Sequence, residues 1–419
     1  MAFFRNSAVN LLNLHYGIHV IALSGGAAFF LIYLMQSGVP IPGVFVSIAL
    51  ILLGRFIIRP LVAGLAVRWG LRAMVVLGTL LSAAQYPLLA EVHGVGRVLA
   101  ALIAFGALAD TVYWTTYHAY FAALGDDDHR AQQIGAREAI AAIIGVVSPL
   151  LTGWMLVTFG PRLAFGTTAV IAATAALPLL WAPDVRVKRH VPGALRAALP
   201  GMLLFGADGL IGAGNVLVWQ IALFVSLGEN VLGYGGAMAL AALAGAIGGL
   251  TLGRHIDAGH GRRAVWYASG TLVLIITLRA FAAGHAAVAL LANALGSFGY
   301  CLYIPTIMTP VYTLAKRSPC TLRFQVAAEG GWDLGGATGL LIAALATRLG
   351  MPLSASILVA LVGVAPMVVL LRRYYAKLPP IVVPTAVSVT LNAAVNAAPN
   401  IDRTSAWLPH AAQEPEQYP

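Results

Sequence analysis

Several ionisable side chains sit inside long apolar stretches: Arg55, Arg59, Asp110, Arg137, Glu138, Asp208, Glu329 and Asp333. Groups of this kind can bind a charged solute, pair with one another or carry a proton. In hydrocarbon an ionised group costs about 2.5–3.5 kcal/mol even on lenient insertion scales, so each must face protein or water. Counting along the stretches puts Arg55 level with Asp110, and Arg59 level with Glu138. Both are candidate pairs, for either a binding site or a structural tie that offsets desolvation. Glu329 and Asp333 lie one helical turn apart and share a face, which suits a shared proton or a structural role at a helix entry. Asp208, in Phe205-Gly-Ala-Asp-Gly-Leu-Ile-Gly-Ala-Gly-Asn215, has no basic neighbour in sequence. A carboxyl without a cation holds its proton more readily in low dielectric, which suits proton exchange near neutral pH. Asp208, Asp110 and Glu329 are therefore the candidate proton carriers.

Polar aromatic residues form a second set. Tyr113, Thr116, Tyr117 and Tyr120 follow helical 3-4-3 spacing and make one stripe, which reads as cavity-facing because lipid has no use for hydroxyls. Tyr300, Tyr303, Thr306 and Tyr312 repeat the theme with Pro305 and Pro310 among them, and Asn13, His15, Tyr16, His19, Asn215, Trp219 and Gln220 add to it. From these we expect Tyr16, His19, Arg55, Asp110, Tyr113, Thr116, Tyr117, Asn215, Trp219, Tyr303 and Thr306 to contact substrate. The run Asp126-Asp127-Asp128 has no second acidic cluster to share a metal and reads as a solvated loop. There is no phosphate-binding Gly-x-x-x-x-Gly-Lys motif, no metal-ligand spacing and no nucleophile–base set, so neither a cofactor nor enzymatic chemistry is expected.

The elements that hold these groups follow from composition. Of 419 residues, 60% are apolar or aromatic and 10% charged, with mean hydropathy +0.86. Too few charges remain to cover a water-facing globule, and two cysteines exclude a disulfide scaffold. Twelve apolar segments are long enough to cross a bilayer as helices: 11–35, 43–67, 73–90, 97–123, 132–158, 162–181, 198–226, 231–253, 264–283, 286–314, 326–347 and 352–371. Their loops alternate in charge. Arg97, Arg162, Arg279 and Arg348 fall at one set of ends, while all the other loop and end cations before the tail fall at the opposite set. The positive-inside bias makes that side cytoplasmic, with both termini there, in a cytoplasmic membrane. The net charge of +10 is then a topology signal and calls for no nucleic acid.

The polar stretch 182–197 divides the chain into an N-terminal bundle, 1–181, and a C-terminal bundle, 198–377. The tail 378–419, rich in Pro, Asn, Ala and Val, reads as disordered. The halves repeat at an offset of about 190 residues: Tyr113, Arg130 and a Gly-rich span answer to Tyr303, Arg323 and another. The turn after the second span, Arg68-Trp-Gly-Leu-Arg72, answers to Arg254-His-Ile-Asp257-Ala-Gly-His-Gly261-Arg262-Arg263.

These turns resemble the Gly-x-x-x-Asp-Arg-x-Gly-Arg-Arg motif of the major facilitator superfamily of secondary transporters. Gly253, Asp257, Gly261, Arg262 and Arg263 match it with one extra residue. Gly64, Gly70 and Arg72 match in the first half, but Arg68 stands at the acidic position. Gly145-x-x-x-Pro149-x-x-x-Gly153 is similar to the family's antiporter motif without its Gly-Pro pair. The resemblance covers about residues 8–378. It implies an all-α membrane protein with twelve transmembrane helices in two pseudo-symmetric six-helix bundles. It implies a central cavity lined by the first, fourth, seventh and tenth helices, and a conformational latch at the five second-half motif residues. The expected function is alternating-access transport of a small organic molecule by a monomer in the bilayer, coupled to protons and favouring export. Import of a small organic anion, a polytopic membrane enzyme or lipid-handling protein, and a transporter-like sensor or assembly subunit are the alternatives.

Overall fold

The computed structural model describes residues 6–125, 130–189, 191–256 and 261–376, without the side chains of 130–139, 249–256 and 261–262. Among the described residues the chain is helical throughout. The spans are α1 (Ser7–Gln36), α2 (Ile41–Trp69), α3 (Leu71–Ala90), α4 (Arg97–Leu124), α5 (Arg130–Phe159), α6 (Pro161–Trp181), α7 (Ala194–Ser226), α8 (Val231–Ile256), α9 (Gly261–Ala282), α10 (Ala286–Arg317), α11 (Thr321–Arg348) and α12 (Leu353–Ala376). Every one except α11 contains a stretch apolar enough to cross a membrane by composition alone. The exception is the helix that carries Glu329 and Asp333. Large side chains such as Ile57, Ile143, Val170 and Phe281 are exposed, as a lipid-facing belt requires.

The packing repeats six helices later. In the first half α1 packs on α5 and α6, α2 on α4, and α3 on α4 and α6; in the second α7 packs on α11 and α12, α8 on α10, and α9 on α10 and α12. The halves meet along α2–α11 and α5–α8. At the end far from the 182–197 segment, Tyr234 of α8 donates to the carbonyl of Ala28 at 3.1 Å, and its ring meets Phe29 edge-on at 5.4 Å.

Two local devices set the site. The first is a seam of small residues. Gly206 and Gly209 on α7 face Gly331, Gly335 and Gly336 on α11, and a Cβ at Gly209, Gly331 or Gly335 would fall onto a backbone carbonyl of the other helix. Close backbone approach of this kind substitutes packing for the absent hydrophobic drive between helices in lipid. The second is a π-helical turn in α7 at Ala213–Val218. Such turns leave backbone groups to be satisfied elsewhere and recur at functional positions.

The segment after α6 is tied down. Asp184 lies against the α2–α3 turn, where Gly70 has φ +86° and a side chain would strike the Asp184 carboxylate. Leu71 N–H donates to the Val185 carbonyl at 3.0 Å, Arg72 Nη1 to the Ala182 carbonyl at 3.1 Å, and the Tyr120 hydroxyl to the Pro183 carbonyl. Arg186 Nε meets Asp184 at 2.8 Å. On the other side Arg323, at the start of α11, donates to the Arg189 carbonyl. The chain's first-half turn lacks an acidic residue of its own, and the carboxylate of Asp184, 112 residues beyond Arg72, sits there in its place. Asp257, Asp126-Asp127-Asp128 and the tail lie outside the described residues, as do the side chains of Arg137, Glu138 and Arg262 and the surroundings of Gly253 and Gly261; Arg263 is exposed.

Candidate functional site: a buried charge cluster between the halves

α2, α4 and α11 bring together two guanidiniums and three carboxylates. Arg59, 1% exposed, donates from Nε to Asp333 Oδ2 at 2.6 Å and from Nη1 to Glu329 Oε2 at 2.9 Å and Thr115 Oγ1 at 2.5 Å. Arg55 Nε lies 3.0 Å from Asp333 Oδ1, off the hydrogen-bonding axis, and its Nη atoms lie 3.6 Å from Asp110 and 3.9 Å from Glu329. His118 Nε2 is 3.8 Å from Glu329 Oε1, and its Nδ1 is 3.3 Å from the Tyr312 hydroxyl on α10. Spacing explains the grouping. Arg55 and Arg59, like Glu329 and Asp333, are one turn apart, so each helix offers a matched pair on one face.

Arg55 and Asp110 do approach, as their depths indicate, but Arg55's nearest carboxylate is Asp333. The depth match of Arg59 with Glu138 misassigns Arg59, whose guanidinium is committed to α11. Glu329 and Asp333 serve as counter-ions across the boundary between halves. Thr115 and His118 belong to the cluster and escaped the sequence reading. Their signal was membership of the polar run 113–120 on α4.

That stripe is buried against protein. Tyr113 and His15 Nε2 are joined at 3.0 Å, with His15 Nδ1 2.7 Å from the Ala175 carbonyl. His19 packs on Tyr113 at 4.2 Å between ring centroids, and Tyr16 stacks on Tyr117 at 5.5 Å. Thr116 and Thr306 spend their hydroxyls on their own helices, on the Val112 and Leu302 carbonyls. The stripe therefore packs α4 against α1 and the 182–189 segment, and the hydroxyl protons of Thr116 and of Thr306 on α10 are already given to carbonyls of their own helices.

The second half has its own chain of contacts. Asp208 accepts a 2.5 Å hydrogen bond from Tyr303, with Trp332 close by. Among the described residues it makes no ion pair. Trp332 also lies under Arg55, 5.8 Å from Cζ to ring centroid, so it connects Asp208 to the cluster. Arg279 looks like an end cation in sequence, but it turns inward and is 5% exposed. Its Nη1 donates to the backbone carbonyl of Asn215, in the π turn, and to Asn215 Oδ1 at 3.0 Å; its guanidinium covers Trp219, whose Nε1 donates to Asn293 at 3.0 Å. Asn215 and Trp219 thus hold Arg279 in place.

With this geometry in hand, known proteins supply the comparison. The family model described as "Major Facilitator Superfamily" matches residues 16–228. The chain belongs to the major facilitator superfamily. Its fold is similar to that of the human organic anion transporter MFSD10 (TM-score 0.64, 15% identity, 86% of this chain and 99% of that one). It is also similar to the fucose:proton symporter of E. coli (0.60, 13%, 87% and 98%) and to the nucleoside transporter NupG (0.58, 13%, 88% and 99%). At these identities the likeness speaks for the fold alone. No curated protein matches the sequence. As a superfamily member, the chain is a multi-pass membrane protein and a secondary transporter.

Proposed function

We propose that this transporter moves a small organic molecule by proton-coupled alternating access, in the export direction, from a cytoplasmic membrane with both termini inside. One observation carries the coupling: Asp208 is a central carboxylate whose hydrogen-bond partner is a neutral donor, Tyr303. A carboxyl in that setting can load and release a proton without first breaking an ion pair. The Arg55/Arg59–Glu329/Asp333 contacts must part when α2 and α11 separate at this level, so they bias the equilibrium between conformations. Export is favoured by the aromatic residues around the site, which suit an amphipathic cargo. The test is flux in proteoliposomes of the full chain. Asp208→Asn should abolish accumulation driven by a pH gradient while substrate at saturating concentration still exchanges down its own gradient. Gradient-driven accumulation at the wild-type rate in this variant would remove the proton from Asp208, leaving Asp110 and Glu329 as carriers.

A further inference from the structure

We propose that the cargo is an organic cation with an aromatic or apolar body, recognised by the carboxylates of Asp110 and Asp208. The inference rests on the transport reading above and names its substrate class.

What a solute meets is decided by which charges are already answered. The arginines that make an anionic cargo attractive in sequence are not on offer. Arg59 is buried and bonded to two carboxylates and a hydroxyl. The Arg55 side chain is 10% exposed and lies among three carboxylates. Arg279 is covered by Trp219 on one side, packs against Gly296 on the other, and is held by Asn215. The carboxylates divide differently. Glu329 and Asp333, 6% and 0% exposed at the side chain, are spent on the arginines, whereas Asp110 is 27% exposed and stands at the loose 3.6 Å end of the cluster. Asp208 is also partly exposed, and among the described residues no cation pairs with it.

The charge balance agrees. With His118 neutral, Arg55 and Arg59 oppose Asp110, Glu329, Asp333 and Asp208, so the connected site carries an excess of negative charge when its acids are ionised. A monovalent cation and a proton would together cancel that excess. Trp332, partly exposed, lies under Arg55, and Tyr303, whose ring packs on Tyr300, holds Asp208. An aromatic face next to a carboxylate attracts a cation twice over, by charge and by the ring quadrupole.

The experiment uses purified full chain in nanodiscs, with tetraphenylphosphonium and its anionic near-isostere tetraphenylborate as probes. Binding is read by equilibrium dialysis against empty nanodiscs. Tetraphenylphosphonium should bind saturably, tetraphenylborate should not compete, and Asp110→Asn and Asp208→Asn should each weaken binding roughly tenfold. Asp110→Glu, which keeps the charge, should retain binding and guards against loss of fold. Saturable tetraphenylborate binding that Arg55→Met abolishes would overturn the proposal. So would the absence of saturable tetraphenylphosphonium binding, or binding unchanged in both Asn variants. Flux separates this inference from the transport reading. Carboxylate-dependent cation binding without gradient-driven flux would defeat the coupling and leave the cation site standing. Gradient-driven flux of neutral or anionic solutes alone would do the reverse.

Discussion

Arg59 on α2 and Asp333 on α11 meet at 2.6 Å across the boundary between the two halves, with both side chains at most 1% exposed. A buried pair of this kind is worth less for stability than its geometry suggests, because both ions lost their water. Breaking it from one side leaves the other charge stranded. Arg59→Met and Asp333→Leu should therefore each cost about 3–5 kcal/mol, while the double variant recovers most of the loss. A double-variant cycle of thermal unfolding in detergent measures this. Strictly additive losses would show that the pair is not energetically coupled.

Asp184 gives a second prediction. Its contacts with Arg186 and the Gly70 turn are half-exposed, so the whole protein should hardly notice Asp184→Asn. Local opening of the 182–189 segment should become easier, by up to about 1 kcal/mol or roughly fivefold. Limited trypsin digestion at Arg186, Lys188 and Arg189 should speed up accordingly, with the unfolding midpoint nearly constant. An unchanged nicking rate would mean that Asp184 contributes nothing to docking.

The α7–α11 seam predicts a contrast between glycines. Gly335→Ala puts a methyl onto the Gly206 carbonyl and should destabilise by about 1–3 kcal/mol. Gly270→Ala on α9 meets nothing within 4 Å and should be neutral or stabilising by up to about 1 kcal/mol. Thermal midpoints of the two variants, purified side by side, decide it; equal midpoints would rule out tight packing at Gly335.

Topology gives a fourth. With Cys301 and Cys320 replaced by serine, a cysteine at Lys188 should resist an impermeant maleimide in intact cells and react once the membrane is opened. Labelling from outside would invert the assignment of sides.

The spans were legible because each is a long apolar run, and even α11 could be placed despite its charges. The partners of those charges were not. Counting along a helix gives depth but not azimuth, so Arg59 could be set level with Glu138 yet not turned toward Glu329 and Asp333. The same blindness made the Tyr113–Tyr117 stripe read as a cavity wall, when His15 and Tyr16 of α1 cover it. Arg279 shows a third limit. Its place in the last turn of α9 is what an interfacial cation would have, and only the tertiary fold reveals the Asn215 carbonyl it reaches. Asp208 was legible as a carboxyl without a basic neighbour, but Tyr303, 95 residues away, was not legible as its donor.

The glycine seam carries a mechanical implication. Because α7 and α11 touch backbone to backbone, there is no layer of side chains between them to absorb relative sliding. Asp208 stands on one of these helices, and Glu329 and Asp333 on the other. The two helices then behave as a single lever. Any displacement that pulls α11 away from Arg55 and Arg59 drags the Asp208 carboxyl with it, and any event that shifts Asp208 is felt at the arginines. Proton loading and the parting of the halves would thus be linked by rigidity, without a separate relay of residues between them.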